Sequence, residues 1–184
     1  MNSITGAKPA LLLGSKSMSN VSNLAIFSSI VHISSSPALF AFFIRNTKNH
    51  RRDTFNNILE TKCYTFNHIN SKITKQSHET SYKYADNISE FKECGFTEEY
   101  VNNFFAPYVK ESSVKIGLEL REVVDFRFTT SKLIVGELVY ASFCEKYITK
   151  SKILNLENSK SVFVSGLNDY YLAKKIASYP YVRK

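Results

Sequence analysis

The residues best suited to chemistry lie between positions 23 and 54. The segment Asn23–Ser29 combines small, polar and apolar residues and ends in two adjacent serines. Arg45, Arg52 and Thr54 then add two cations and a hydroxyl. Small residues let backbone amides approach a flat ring, while arginine, hydroxyl and helix-terminal amides bind phosphate. This order favours a planar ring ligand that carries a phosphate.

Strand-like segments flank the serines. Asn23–Ile33 is rich in β-branched and aromatic residues, and Ala38–Ile44 is continuously apolar, which predicts a strand covered on both faces. A short helix is predicted over Thr54–Glu60, with Asp53 or Thr54 as its N-cap. Its first turn is an expected anion site.

The remaining chain predicts a mainly β protein with inserted helices. Further strands are predicted at Lys8–Gly14, Lys62–Ile69, Val114–Phe128, Lys132–Phe143 and Ser161–Ser165. Further helices are predicted at Thr80–Tyr84, Ser89–Cys94, Thr97–Phe104 and Asp169–Ala177. Short connections favour antiparallel Greek-key pairing in a closed or partly closed barrel. No linker is apparent, so we expect one domain over residues 1–184.

Composition narrows the classes of partner. The chain has 184 residues and a net charge of +8, carried mostly by lysines scattered along the sequence. A basic barrel rich in tyrosine could bind single-stranded nucleic acid by stacking. The tyrosines do not cluster with lysines on one strand face, however, which disfavours nucleic acid. Scattered lysines are usually solvated surface residues, so the grouping of Arg45, Arg51 and Arg52 is more informative than the total charge.

The cysteines and the apolar runs point to a cytoplasmic protein. Cys63, Cys94 and Cys144 form no CxxC pair and are odd in number, so we expect small buried residues in a reducing compartment. The segment Leu24–Ile44 carries five serines and Pro37 and is therefore not expected to span a membrane. The four histidines show no metal-ligand spacing, and no metal is predicted.

Several short motifs follow one another in a fixed order along nearly the whole chain. They are Asn23 to Ser29, Pro37, Asp53-Thr54 with Asn57-Ile58, Tyr64 to Asn67, Ser89-Glu90-Phe91, Gly95-Phe96-Thr97, Pro107, Glu111-Ser112 and Gly136-Glu137. Their order and spacing resemble the flavin reductase-like family. The resemblance implies an FMN-binding split barrel.

The resemblance also implies where a noncovalent FMN lies. Its isoalloxazine would be lined by Asn23, Leu24, Ala25, Ile26, Phe27, Ser28 and Ser29. Its phosphate would lie against Arg45, Arg52 and Thr54, with Arg51 the residue more readily explained as solvated. Asn67, His78 and Ser81 would face the flavin from the other side, although a lone histidine in a polar stretch is more often a surface residue.

The activity implied by the resemblance is hydride transfer from NAD(P)H to flavin N5 and onward to an acceptor. The chain departs from the family pattern at Thr129-Thr130-Ser131, where many reductases of the family carry Gly-Asp-His associated with nicotinamide binding. A non-catalytic flavin-binding or electron-shuttling protein is therefore the alternative. A homodimer is also expected, with Phe104-Phe105 and Tyr170-Tyr171 as apolar surface for a partner and an oxygenase as a further partner class.

Overall fold

The computed structural model describes residues 1–45, 52–85 and 87–180, and antiparallel strands dominate it. The strands are β1 Lys8–Pro9, β2 Leu11–Lys16, β3 Ser22–Phe27, β4 Ile30–Ser35, β5 Ala38–Ile44, β6 Cys63–His68, β7 Glu98–Glu99, β8 Tyr108–Val109, β9 Val114–Asp125, β10 Lys132–Phe143, β11 Val162–Ser165 and β12 Asp169–Leu172. The α-helices are α1 Asp53–Thr61, α2 Thr74–Glu79, α3 Glu90–Glu93 and α4 Leu156–Ser159, and a 3-10 helix covers Glu145–Tyr147.

Seven strands form one sheet in the order β3-β2-β6-β9-β10-β5-β4. The two edge strands, β3 and β4, follow each other in the chain and are joined through Ser28 and Ser29. The sheet therefore curls until its edges meet at this bend. The ring of Phe27 on β3 contacts Phe42 of β5 edge to face at 5.1 Å between centroids. This is a split β-barrel, as the sequence predicts.

Two apolar clusters stabilise the fold. The barrel interior holds Phe42, Tyr64, Phe66, Leu118 and Ile134, and Phe55 and Ile58 of α1 join it. The second cluster holds Leu12, Leu24, Ile73, Phe91, Val109, Val162 and Val164. Alternate β3 residues serve the two clusters, since Leu24 and Ile26 belong to the second and Phe27 to the first. The pleat thus exposes β3 to packing on both faces.

The absence of a side chain at Gly136 leaves space for the ring of Tyr64 on β6. A Cβ at this position of β10 would lie 2.1 Å from the hydroxyl oxygen of Tyr64, whose ring is fully buried inside the barrel. Any larger residue would have to displace that ring. Gly136 and Tyr64, which belong to different sequence motifs, therefore pack against each other in the barrel.

Several predicted boundaries are wrong. Asn23–Ile33 is two strands, because the chain turns at the serines and each half pairs with a different neighbour. The segment Thr80–Tyr84 is not a helix as predicted, because the helix of this region, α2, ends at Glu79. The strand Val114–Phe128 ends three residues early, at Asp125, where its pairing with Lys132 ends.

Two further helix predictions fail because distant strands pair with those segments. Within Thr97–Phe104, Glu98 and Glu99 pair with Val109 and Tyr108. Asp169–Ala177 begins with β12, which pairs with β11, and its remaining residues have no regular structure. Cys63 and Cys94 are buried as predicted, but Cys144 is exposed. In the described part of the chain, no helix is long and apolar enough to span a membrane.

Candidate functional site

The open edge of β3 is the centre of the candidate site. β3 pairs with β2, and the hairpin register begins with the amide of Ser17 donating to the carbonyl of Val21 at 3.0 Å. Hydrogen-bonded pairs alternate in an antiparallel ladder, so Ala25 directs its backbone groups toward β2. Leu24 and Ile26 accordingly direct theirs toward the open edge.

One of these edge amides is already occupied. The Leu24 amide donates to the Glu90 carboxylate at 2.9 Å, and Glu90 is carried by α3. Burial raises the pKa of this carboxyl, and the hydrogen bond from Leu24 opposes that effect. The next outward amide, of Ile26, has no hydrogen-bond partner among residues 1–45, 52–85 and 87–180. The edge therefore offers a donor beside small residues.

A buried polar cluster holds the start of α1 against this hairpin. Asn23 Nδ2 donates to Thr54 Oγ1 at 3.0 Å, and Asn57 Nδ2 donates to Ser15 Oγ at 3.2 Å. All four residues are buried. Because Thr54 accepts from Asn23, its own hydroxyl hydrogen can point to another acceptor. Asn23 thus holds the Thr54 side chain in place, and within residues 1–45, 52–85 and 87–180 no acceptor is recorded for the Thr54 hydroxyl hydrogen.

The N-terminus of α1 adds backbone donors. The helix begins at Asp53, and Arg52 occupies the N-cap position without a side-chain hydrogen bond to the first turn. The prediction of Asp53 or Thr54 as N-cap is therefore wrong by one or two positions, because both residues already have helical conformation. Amides at a helix start that lacks a side-chain cap are suited to binding an anion.

Of the two predicted arginines, Arg52 directly precedes α1 and Arg45 directly follows β5. Arg45 follows β5, whose last residue Ile44 packs in the same cluster as Phe55 of α1. Arg45 and Arg52 are both exposed. Arg51 lies outside the described residues.

The serine bend is fixed by β5. Ser29 Oγ donates to the carbonyl of Phe43 at 3.1 Å, and the Phe43 amide donates to the carbonyl of Ser29 at 3.1 Å. Ser28 and Ser29 are half-buried. The bend is therefore held in one place where the two edges of the barrel meet.

The residues predicted to face the flavin from the other side occupy different environments. Asn67 is fully buried, and its amide group bonds the Leu12 carbonyl at 3.2 Å, Thr65 Oγ1 at 2.8 Å and the Val109 amide at 3.0 Å. All of these partners are protein groups, so its side chain ties three strands together. His78 lies on α2, which packs against β3, and its Nδ1 is 3.0 Å from the Tyr170 hydroxyl.

Ser81 lies just beyond α2. Its Oγ donates to the His78 carbonyl at 2.7 Å, and its side chain is exposed. The structure joins Asn23 at the start of β3 to Thr54 and holds Ser29, after the end of β3, against Phe43. His78 lies on α2, which packs against β3, and Ser81 follows that helix. The sequence did not predict Glu90 as a site residue, although Ser89-Glu90-Phe91 is one of the motifs that carry the family resemblance.

Known proteins share both the sequence pattern and the fold. The model of the flavin reductase like domain matches residues 5–160. A proposed flavin reductase with a split barrel domain from Shewanella frigidimarina NCIMB 400 is 35% identical, with a TM-score of 0.93 over 98% of this chain and 89% of that one. The FMN-binding protein of Thermus thermophilus, solved with 1-cyclohex-2-enone, is 15% identical, with a TM-score of 0.80 over 97% and 93% of the two chains.

A curated relative extends the likeness to a third organism. An uncharacterised protein of Aquifex aeolicus (strain VF5) is 26% identical over 109 residues, which are 59% of this chain and 56% of that protein. The chain thus aligns with little more than half of that relative's length. The family match covers far more of this chain, and its residues include the open edge of β3 and the start of α1. The chain belongs to the flavin reductase-like family.

Proposed function

We propose that this protein binds FMN noncovalently along β3 and acts as an oxidoreductase that takes hydride from NAD(P)H and passes electrons to an acceptor. The observation that carries the proposal is the open edge of β3 beside the N-terminus of α1. An edge amide at Ile26, small residues at Ala25 and Ser28, and uncapped helix amides make a site for a ring at one end and a phosphate at the other.

The phosphate end has a suitable donor set. The amides in the first turn of α1 and the Thr54 hydroxyl donate to anionic oxygens, and Arg45 and Arg52 supply positive charge. Asn23 orients the threonine by donating to its oxygen, which fixes the rotamer that leaves the hydroxyl hydrogen free. These groups would together hold a dianionic phosphate.

The ring end depends on backbone groups. The Ile26 amide would donate to an acceptor on the bound ring, and Ser29, held to the Phe43 carbonyl, would keep the adjoining backbone in place. His78 and Ser81 would border the ring from α2, and Asn67 would support that wall by fixing the strands behind it. When bound, the flavin supplies the redox chemistry, accepting a hydride at N5.

An electron-shuttling or storage role is the alternative function. Thr129-Thr130-Ser131 stands where many reductases of the family carry Gly-Asp-His, which favours weak turnover with NAD(P)H. A partner oxygenase or another protein would then exchange electrons with the flavin. Two free, buried cysteines fit the reducing cytoplasm that we propose as the protein's location.

The cofactor proposal is tested by FMN affinity, measured by fluorescence quenching on the purified protein. Thr54→Val should weaken FMN binding about tenfold or more, because it removes one hydrogen bond to a charged group. Thr61→Val is the matched control, since its hydroxyl donates to Asn57 at the other end of the same helix. Equal affinities for both variants, or no FMN binding by the wild type, would contradict the proposal.

The reductase and shuttle roles are separated by adding NADH or NADPH anaerobically to the FMN-loaded protein. Bleaching of the flavin absorbance on the timescale of enzymatic turnover supports the reductase role. A flavin that stays oxidised with both nucleotides but is reduced by dithionite supports the shuttle. Each outcome leaves the separate FMN-affinity result intact.

A further inference from the structure

The open edge of β3 carries a carboxyl group beside the amide proposed to bind the flavin ring. Glu90, the first residue of α3, accepts the Leu24 amide at 2.9 Å. Alternate residues of a strand direct their backbone groups to the same side, about 7 Å apart. The carboxyl group therefore lies next to the Leu24 amide, about 7 Å along the edge from the Ile26 amide.

The same carboxyl group is close to the start of α1. The residue before Leu24, Asn23, donates from its side chain to Thr54 Oγ1 at 3.0 Å. Burial raises the pKa of Glu90, and the negative charge of Asp53, the first residue of α1, raises it further. Glu90 is therefore a neighbour of both ends of the proposed site, the ring donor on β3 and the phosphate donors of α1.

Neighbouring elements bring negative rather than positive charge to Glu90. Asp53 does so from α1. Glu98 of β7 does so through Ser22, whose hydroxyl is hydrogen-bonded both to the Glu98 carboxylate and to Ser89, the residue before Glu90. Within residues 1–45, 52–85 and 87–180, no lysine or arginine forms an ion pair with Glu90. Ionisation of Glu90 is thus opposed by burial and by like charges.

The remaining titratable groups around Glu90 do not change this balance. Cys94 follows α3, and burial raises the pKa of its thiol, so it carries no charge at neutral pH. β3, against which α3 packs, has no titratable residue between Ser22 and Phe27. On α3 itself, Lys92 and Glu93 are both exposed, where solvent screens their charges.

A phosphate bound at the start of α1 would add a further negative charge beside this carboxyl group. Like charges favour the protonated form of an acid. A protonated carboxyl group still has a carbonyl oxygen that can accept the Leu24 amide, and it gains an O–H donor. Protonation thus removes a repulsion and adds a hydrogen bond without breaking the contact to β3.

We propose that Glu90 binds FMN as a neutral acid: it takes up one proton from solvent when FMN binds, keeps its carbonyl oxygen on the Leu24 amide and donates the new O–H to an oxygen of the ligand. This role rests on the proposed function, because it concerns the same site. The proton returns to solvent when FMN leaves, and no other bond is made or broken.

The role gives FMN affinity a definite pH dependence. Because the bound ligand raises the pKa of Glu90 above its value in the free protein, protonation and FMN binding favour each other. The added affinity is fully present below the pKa of the free protein and is lost as the pH rises through the pKa of the complex. Glu90→Gln is the informative variant, because its amide oxygen accepts from Leu24 and its NH₂ group donates without titrating.

Isothermal titration calorimetry of FMN binding counts the protons, through the dependence of the binding enthalpy on the ionisation enthalpy of the buffer. At one or more pH values between about 5.5 and 7.5, the wild type should take up at least about half a proton more per FMN than Glu90→Gln does. At the highest pH, Glu90→Gln should bind FMN about threefold or more tightly than the wild type. Titration of the FMN phosphate itself, near pH 6, contributes equally to both proteins.

Glu93→Gln is the matched control, because Glu93 is an exposed glutamate of the same helix, and its proton uptake should equal that of the wild type. The proposal is overturned if Glu90→Gln and the wild type take up the same number of protons, or if Glu93→Gln abolishes the uptake. It is also overturned if Glu90→Gln loses FMN affinity while its urea unfolding matches the wild type.

A second measurement needs no variant. In wild type labelled with ¹³C-glutamate, addition of FMN should move one side-chain carboxyl resonance upfield, to the position of a protonated acid. Carboxyl resonances that all stay at ionised positions throughout the same pH range would contradict the role of Glu90 even if Glu90→Gln does not fold. FMN binding without proton uptake by Glu90 rejects this role alone, whereas no FMN binding by the wild type rejects the proposed function and this role with it.

Discussion

Glu90 shows how one side chain can protect an edge strand. Its carboxylate accepts from the Leu24 amide at 2.9 Å, so that part of β3 is closed to other partners while Ile26 stays open. We expect Glu90→Ala to destabilise the protein by about 1–3 kcal/mol, because it leaves a buried amide without an acceptor. Glu93→Ala, on an exposed residue of the same short helix, should change the free energy of unfolding by less than about 0.5 kcal/mol. Urea unfolding at pH 7 measures both.

Glu90→Gln separates hydrogen bonding from charge. Burial raises the pKa of Glu90, so the native state binds this proton more tightly than the unfolded state does. The associated stability is present below the unfolded pKa and is lost as the pH rises through the folded pKa. The glutamine keeps an acceptor for Leu24 and carries no charge, so it should match or exceed wild-type stability at pH 7. A glutamine variant as unstable as the alanine variant would contradict this account.

At the scale of elements, a buried hydrogen-bond chain joins β6 to the segment before β11. His68 Nδ1 is 3.0 Å from Ser161 Oγ, which is 2.8 Å from Ser159 Oγ. Burial lowers the pKa of His68 to about 4, so its ring stays neutral in the native state. Between pH 6.5 and 4 the unfolded state binds more protons, and stability should fall as the pH falls through that window, by at most about 3 kcal/mol.

Thermal unfolding from pH 7.5 to 4 checks the role of this histidine. His68→Gln keeps a polar group near Ser161 and removes the titration, so its melting temperature should fall less steeply below pH 6.5 than that of the wild type. His32→Gln, an exposed histidine on β4, is the matched control and should follow the wild-type curve. Parallel curves for His68→Gln and the wild type would show that another group governs acid stability.

The sequence predicts those elements whose pattern is local. The continuous apolar run of β5 and the alternation of β6 are visible in the residues themselves. The segment at β12 carries helical spacing, yet pairing of Val162 with Leu172 makes it a strand, and no local pattern reveals that distant partner. The same limit applies to the site, because the contact between Glu90 and Leu24 joins residues 66 positions apart.

At the scale of the molecule, the feature that most favours association is the edge strand β4 with its exposed apolar side chains. It is an edge strand, and Val31 and Ile33 are 45% and 48% exposed on it. Unpaired edges with apolar side chains promote association between chains. In the two pairs predicted to contact a partner, Phe104 and Tyr170 are half-buried, whereas Phe105 and Tyr171 are exposed. We therefore expect a homodimer whose contact includes β4.

Light scattering tests this prediction. The wild type should have twice the 21.0 kDa mass of one chain, and Ile33→Lys should lower the mass toward that of the monomer because a buried charge opposes association. Ile153→Lys changes an isoleucine that is 64% exposed near the 3-10 helix and should leave the mass unchanged. A wild type that stays monomeric at every concentration would refute the dimer. A dimeric Ile33→Lys variant would instead place the interface away from β4. The exposed edge of β4 would then be protected from pairing with other chains in another way, such as by the strong twist of a short strand.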